Sequence, residues 1–324
     1  MASNTKNMLT HQEAVLFFSK KPALSVSAIE KEAGLPASTL TKAMAGQRTL
    51  NQKHLTALEP VLENYGLAAF RNRKAHVVSV VNHKGGVGKT TTTINLGRAL
   101  SMAGNRVLVI DIDSQGNLSQ SLGVDLPEQQ LYESLVQSQP LPVLAVTDNF
   151  DLVPSNLELA KYERDLTHSP SGALRLRAAL APFLSNYDFI LIDCPPALNV
   201  FTNSALIASN AALVILEPET SAVKGVNNLF ELIEEIRQFF NERLRIDGIV
   251  LTRVDRRLVL HKEIIQTVRQ DLANFNVFQT EIRLNAALKE SQYAQMDIFR
   301  YNNSSPGSVD YRQLANEYMA SVNN

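Results

Sequence analysis

The 324-residue chain contains a single cysteine, Cys194. One thiol cannot form an internal disulfide, which fits a reducing compartment. Nor can it hold an iron–sulfur cluster, which needs several thiolates. No apolar run reaches the roughly 18 residues expected of a membrane-spanning helix. The opening MASNTKNMLTHQEAVLFF lacks a basic stretch followed by a long apolar core, so it does not read as a signal peptide. Six histidines are scattered without metal-ligand spacing, and no Ser-His-Asp arrangement emerges. The expectation is a cytoplasmic protein with no disulfide, no membrane span and no serine-hydrolase chemistry.

Aspartate is missing from the first 76 residues. Seven lysines and three arginines stand there against five glutamates, a net +5, while the remainder carries −6. A basic N-terminal part can seek polyanions, whereas the body does not attract them by bulk charge.

The two parts also differ in pattern. From His76 onward, short apolar β-branched runs alternate with amphipathic helical stretches. The runs are HVVSVV, RVLVID, FILID, AALVILE and DGIVLT. This pattern predicts an α/β fold, a mostly parallel sheet with helices on both faces. Before about residue 72 no strand is evident, and helices are expected near 11–19, 26–33, 37–45 and 51–64. Gly34-Leu35-Pro36 separates two of them, and Ser38 or Thr39 opens the second. A short glycine turn between two helices is the helix-turn-helix pattern. RNRKAH, Arg71 to His76, reads as a polar linker. The expected division is a small all-α helix-turn-helix domain over 1–72 and a larger domain over 73–324.

The chemistry concentrates in HKGGVGKTT, which leaves a strand and opens a helix, as a phosphate-binding loop does. Gly85, Gly86, Val87 and Gly88 let backbone N–H groups converge on phosphate oxygens, and the helix N-terminus adds its dipole. Lys89 supplies a charge to the β- and γ-phosphates, Thr90 can ligate Mg²⁺, and Thr91 continues the loop. His83 stands where the common pattern has glycine. Asp111 and Asp113 end one strand and Asp193 ends another. A carboxylate closing an apolar strand needs a cationic or metal partner. Alternation would put Asp111 and Asp113 on the same side.

KGGVGKTT, DIDSQGN and IDCPPAL together closely resemble the deviant Walker ATPases of the ParA/MinD group. VPSNLELA, LTRVDRR and TEIRLNAALKESQ extend the resemblance over roughly residues 76–320. It implies a slow, partner-stimulated ATPase using ATP and Mg²⁺. It implies that Lys84, the extra lysine of the loop, reaches across a nucleotide-sandwiched homodimer to the partner's phosphates. Asp113 would position the attacking water, Asp111 would support the metal and loop, and Asp193 would act on Mg²⁺ through water. Ser114 departs from the family's usual proline.

The MinD branch has a basic amphipathic C-terminal helix that binds membrane. This chain ends DYRQLANEYMASVNN, with one basic residue, so no membrane partner is expected. The ParA branch implies double-stranded DNA, contacted by Arg257 with Arg253 and Arg256 nearby, and a ParB-like centromere-binding partner. Ala287 replaces a usual arginine there, with Arg283 and Lys289 as candidate substitutes. In the N-terminal part, Ala28, Gly34, Leu40 and Gly46 resemble the register of a Cro/repressor helix-turn-helix. Ser38, Thr39 and Lys42 would begin its recognition helix, with Gln47 and Arg48 near the DNA backbone. Three functions remain open at this point. One is a nucleoid-associated partition ATPase for a plasmid or chromosome that also represses its own operon. The second is a transcriptional regulator with a nucleotide-switched dimer. The third is a positioning ATPase for a non-DNA cargo.

Overall fold

The computed structural model describes residues 8–21, 23–71, 73–219 and 222–322, without the side chains of 222–224. The chain divides into two compact units that meet between Arg73 and Lys74.

Among its described residues the first unit is helical: α1 (His11–Ser19), α2 (Val26–Glu32), α3 (Thr39–Met44), α4 (Gln52–Asn64) and α5 (Leu67–Arg71). Phe17, Phe18, Ile29, Leu40, Leu58 and Leu62 form its core. Thr10 caps α1 in a capping box with Glu13. The start of α3 is capped differently from expectation. Ser38 adopts a left-handed conformation, φ 63°, and its side chain makes no cap bond. Instead the buried Glu30 carboxylate of α2 accepts the N–H groups of Ser38 and Leu40. A carboxylate at a helix start satisfies donors that the helix itself cannot. This bond fixes the angle between the two helices of the turn.

The expected linker is shorter than RNRKAH. Arg71 ends α5, donates to Glu13 at 2.7 Å and to Glu59 at 2.8 Å, and lies 3.6 Å from Glu63. A guanidinium with three acidic neighbours holds structure together rather than linking it. Asn72 lies outside the described residues.

The second unit is built on a sheet that, among the described residues, has seven strands. They are β1 (His76–Val81), β2 (Val107–Asp111), β3 (Leu144–Thr147), β4 (Phe150–Val153), β5 (Phe189–Asp193), β6 (Ala211–Leu216) and β7 (Arg245–Leu251), in spatial order β3-β4-β2-β5-β1-β6-β7. All neighbours are parallel except the β3–β4 hairpin at one edge. Strands β2 and β5 are buried at every position, because helices cover both faces. Alternate residues feed two cores. Leu108, Ile110, Ile190 and Ile192 face one, and Val107, Val109 and Leu191 face the other. The helix α6 (Lys89–Met102) follows β1 directly. The last helix, Pro306–Val322, shares its core, burying Tyr311, Leu314 and Tyr318 with Ile94 and Leu100. No described helix is long and apolar enough to cross a membrane.

Candidate nucleotide site

The C-terminal tips of β1, β2, β5 and β7 meet at one cavity of about 470 Å³, within the size range of ligand sites. Parallel sheets bind ligands at this end. Gly85, Gly86, Gly88, Lys89, Thr90, Thr91 and Asp113 all line it. The loop conformation depends on two glycines: Gly86 and Gly88 have φ of 79° and 96°, a region that side chains with a Cβ rarely enter. Val87 is different. Its side chain is buried, and its carbonyl accepts the Thr252 hydroxyl at 2.6 Å, so it anchors the loop to β7.

Lys89 is 7% exposed, and its ammonium donates to the Lys84 carbonyl at 3.0 Å. Burial lowers its pKa, while the charge of nearby Asp193 opposes the shift. A buried ammonium beside open backbone N–H groups favours a polyanion. The Thr90 hydroxyl donates to Asp193 Oδ2 at 2.7 Å, and the Thr93 hydroxyl to Oδ1 at 3.2 Å. Burial pushes the Asp193 carboxyl up to about 7, with the Thr90 hydroxyl and then the Lys89 charge pulling it down. Asp111 pairs with Asp193 across β2 and β5. Burial, then the Asp193 charge, holds Asp111 well above the carboxylate range. The Asp113 charge also raises Asp193, and a buried carboxylate beside a second acid is what a divalent cation relieves. The residues present therefore fit a magnesium–nucleotide complex, with Thr90 and Asp193 as the metal-side pair.

The structure separates Asp111 from Asp113. Asp113 lines the cavity, whereas Asp111 is fully buried and does not. Asp111 accepts from the Ser119 N–H at 2.9 Å, the Ser119 hydroxyl at 2.7 Å and the Asp113 N–H at 3.2 Å. The contacts it makes are with the loop, the support also expected of it, and it does not line the cavity. It fixes the 113–119 turn that carries Asp113 into the cavity.

Lys84 does not line that cavity. Its ammonium pairs with Glu219 and lies 3.9 Å from Glu217. In this single chain it is held by acids on its own subunit.

Several candidate DNA contacts sit elsewhere than expected. Thr39 is fully buried and accepts from Arg48 at 3.4 Å, so it is removed from any DNA surface. Ser38, Lys42 and Arg48 are exposed. Arg253 belongs to the nucleotide cavity, where its guanidinium meets Glu217 and the Gly86 carbonyl. Arg283 and Lys289 are exposed and also line the cavity, with Arg283 paired to Asp310. Arg256 pairs with Glu281 at 3.0 Å and Arg257 with Asp255 at 2.7 Å, both from exposed positions.

Sequence reasoning missed the wall opposite the loop. Asn285, Leu288 and Gln292 line it, and Gln292 donates to the Thr91 hydroxyl at 3.1 Å. The segment TEIRLNAALKESQ was a usable signal, since it contains all three.

Comparison with known proteins agrees with this geometry. The family model described as an AAA domain matches residues 75–246. The sporulation initiation inhibitor protein Soj of Bacillus subtilis is 36% identical, over 75% of this chain and 98% of Soj. The chromosome partitioning protein ParA of Caulobacter vibrioides is 38% identical, over 75% of this chain and 94% of that protein. The chain belongs to the ParA/MinD family of P-loop ATPases. A solved family-like fold, a cobyrinic acid a,c-diamide synthase of Mycobacterium smegmatis with a bound ATP analogue and magnesium, is 30% identical with a TM-score of 0.66. That alignment covers 75% of this chain and 93% of the synthase. The helical first unit lies outside the residues that the family model matches.

Proposed function

We propose that this protein is a DNA-partition ATPase that binds ATP with Mg²⁺, dimerises around it, holds DNA in that state and lets go after partner-stimulated hydrolysis. The observation that carries this reading is the convergence of buried Lys89, Thr90 and Asp113 on one cavity, with Asp193 just behind Thr90 and bonded to its hydroxyl. Lys89 and the loop N–H groups neutralise phosphate charge. Thr90 and Asp193 orient the metal side. Asp113, fixed through Asp111, orients the attacking water. Lys84, once freed from Glu219, reaches the phosphates of a second copy and stabilises charge during transfer. Magnesium, when bound, draws charge from the phosphate oxygens. The name of the Caulobacter relative, a chromosome partitioning protein, supports a segregation role, and a ParB-like partner and association with the nucleoid belong to the same proposal.

The helical first unit favours a second reading, a regulator that represses its own operon. Ser38, Lys42 and Arg48 are exposed around its helix-turn-helix, within a region of net +5. The body's Arg256 and Arg257 are each paired with an acid, which weakens their pull on phosphate.

The test is binding of the full chain to a random-sequence duplex with ATP, with ADP and without nucleotide, at two salt concentrations. Strong salt-sensitive binding confined to ATP is expected of the partition ATPase. Binding regardless of nucleotide would transfer the function to the first unit. Absence of binding in every state would refute DNA as the partner and leave a positioning ATPase for another cargo.

A further inference from the structure

Strand β7 ends at Leu251, and the next two residues cross the phosphate loop. Thr252 ties down the Val87 carbonyl. Arg253 follows in the left-handed region, φ 55°. A side chain with a Cβ holds that conformation when its surroundings impose it. Here the turn lays the guanidinium against the loop. Nη1 donates to the Gly86 carbonyl at 3.3 Å, and Nε donates to Glu217 Oε1 at 2.8 Å.

Glu217 stands just past the end of β6, with its side chain 16% exposed. Its other oxygen, Oε2, lies 3.9 Å from the Lys84 ammonium. One carboxylate is therefore divided between two cations. Arg253 has it at hydrogen-bond distance, and Lys84 has it loosely. Glu219 holds Lys84 from the other side.

We propose that Arg253 is a positioning residue for Lys84: by occupying Glu217, it keeps Lys84 loosely held in its own subunit and able to transfer to the phosphates of a second copy of this chain. This rests on the reading of an ATP-bound dimer. The physical reason is competition for one charge. Without the Arg253 guanidinium, the cation left beside Glu217 among the described residues is Lys84. Attraction rises as separation falls, and a largely shielded carboxylate is screened less than a surface one. Lys84 is then drawn between Glu217 and Glu219. Dimer formation must pull it from two close carboxylates instead of one.

The test uses the full chain with Mg²⁺ and a slowly hydrolysed ATP analogue, at a concentration that saturates each variant. Sedimentation velocity gives the dimer Kd for wild type, Arg253→Gln, Arg253→Lys and the double variant Arg253→Gln/Glu217→Gln. Arg253→Gln should raise the dimer Kd about tenfold. Arg253→Lys should stay close to wild type, because a cation remains beside Glu217. The double variant should recover most of the loss, because no carboxylate at 217 competes for Lys84. Rescue by a second substitution is not expected of a residue that merely supports the loop. Arg253→Gln dimerising like wild type, or a double variant no better than the single one, overturns the proposal while the dimer reading stands. A wild type that stays monomeric with nucleotide overturns both.

Discussion

Ser119→Ala tests whether Asp111 acts by holding the turn. The Ser119 hydroxyl does two jobs inside the protein. It donates to Asp111 Oδ2 at 2.7 Å and accepts the Ser155 N–H at 3.0 Å. Ser119 is fully buried. Removing the hydroxyl deprives a carboxyl of one donor and leaves a buried N–H without its acceptor. A hydrogen bond to a charged group contributes about 1.5–3 kcal/mol, a neutral one about 1, and an orphaned buried donor costs about 1–3. Asp111 is held well above the carboxylate range, first by burial and then by the Asp193 charge. The expected loss is therefore about 2–6 kcal/mol, the lower end applying to a neutral carboxyl. For a unit of this size each kcal/mol moves Tm by about 2–4 °C, so the melting point should fall by roughly 4–24 °C. The assay is thermal unfolding of the nucleotide-free chain, with ATP affinity measured at a temperature where the variant is folded. Affinity should change little, since neither Asp111 nor Ser119 lines the cavity, while turnover should fall as Asp113 loses its support. A loss below about 1 kcal/mol with normal turnover would refute this account of Asp111.

Lys89→Ala should weaken ATP binding by about 100-fold or more, read by equilibrium dialysis, because no other loop side chain replaces its charge; near-normal affinity would contradict its role. Lys84→Ala should bind ATP and fail to hydrolyse it, and single-turnover kinetics at wild-type rate would remove Lys84 from catalysis. Asp113→Ala should lower turnover by about 10²–10⁴ and accumulate the ATP-bound dimer, whereas unchanged turnover takes Asp113 out of its assigned role. Tyr318→Phe addresses pH. Burial pushes the Asp247 carboxyl up, but bonds from His76, Tyr318 and Arg245 together bring it below the usual range. A carboxyl depressed in the folded state adds stability above its unfolded pKa of about 3.9 and loses it as pH falls through the folded value. The variant should be about 1–3 kcal/mol less stable at pH 7, and the gap should narrow below about pH 4; a gap constant with pH would show that ionised Asp247 is not the acceptor that matters.

The phosphate loop was legible because its chemistry is local. Strand, glycines, Lys89, Thr90 and helix follow one another, so spacing alone assembles the site. Asp111 and Asp113 were expected on the same side because alternation was carried past the end of the strand. β2 stops at Asp111, and the chain turns through Gly116, so period two no longer governs Asp113. The β3–β4 hairpin was missed because LAVT and FDLV are only four residues each. Its turn did carry a signal in Asp148-Asn149, with Asn149 at φ 58°, a residue type that tolerates the left-handed region. Thr39 was misassigned because helix position was judged without knowing which face the first unit buries. The arginines of LTRVDRR show the deepest limit. Sequence counts three positive charges there, but Asp255 lies in the same segment, and Glu281 and Glu217 arrive from distant strands and loops. Cationic pull on phosphate depends on charge left unpaired in space, not on charge per window. The slope of DNA binding against salt should accordingly be set more by the first unit's Lys42 and Arg48 than by these three. Deleting the charges of Lys42 and Arg48 should flatten that slope by about two phosphate contacts, while neutralising Arg256 and Arg257 together should change it by less.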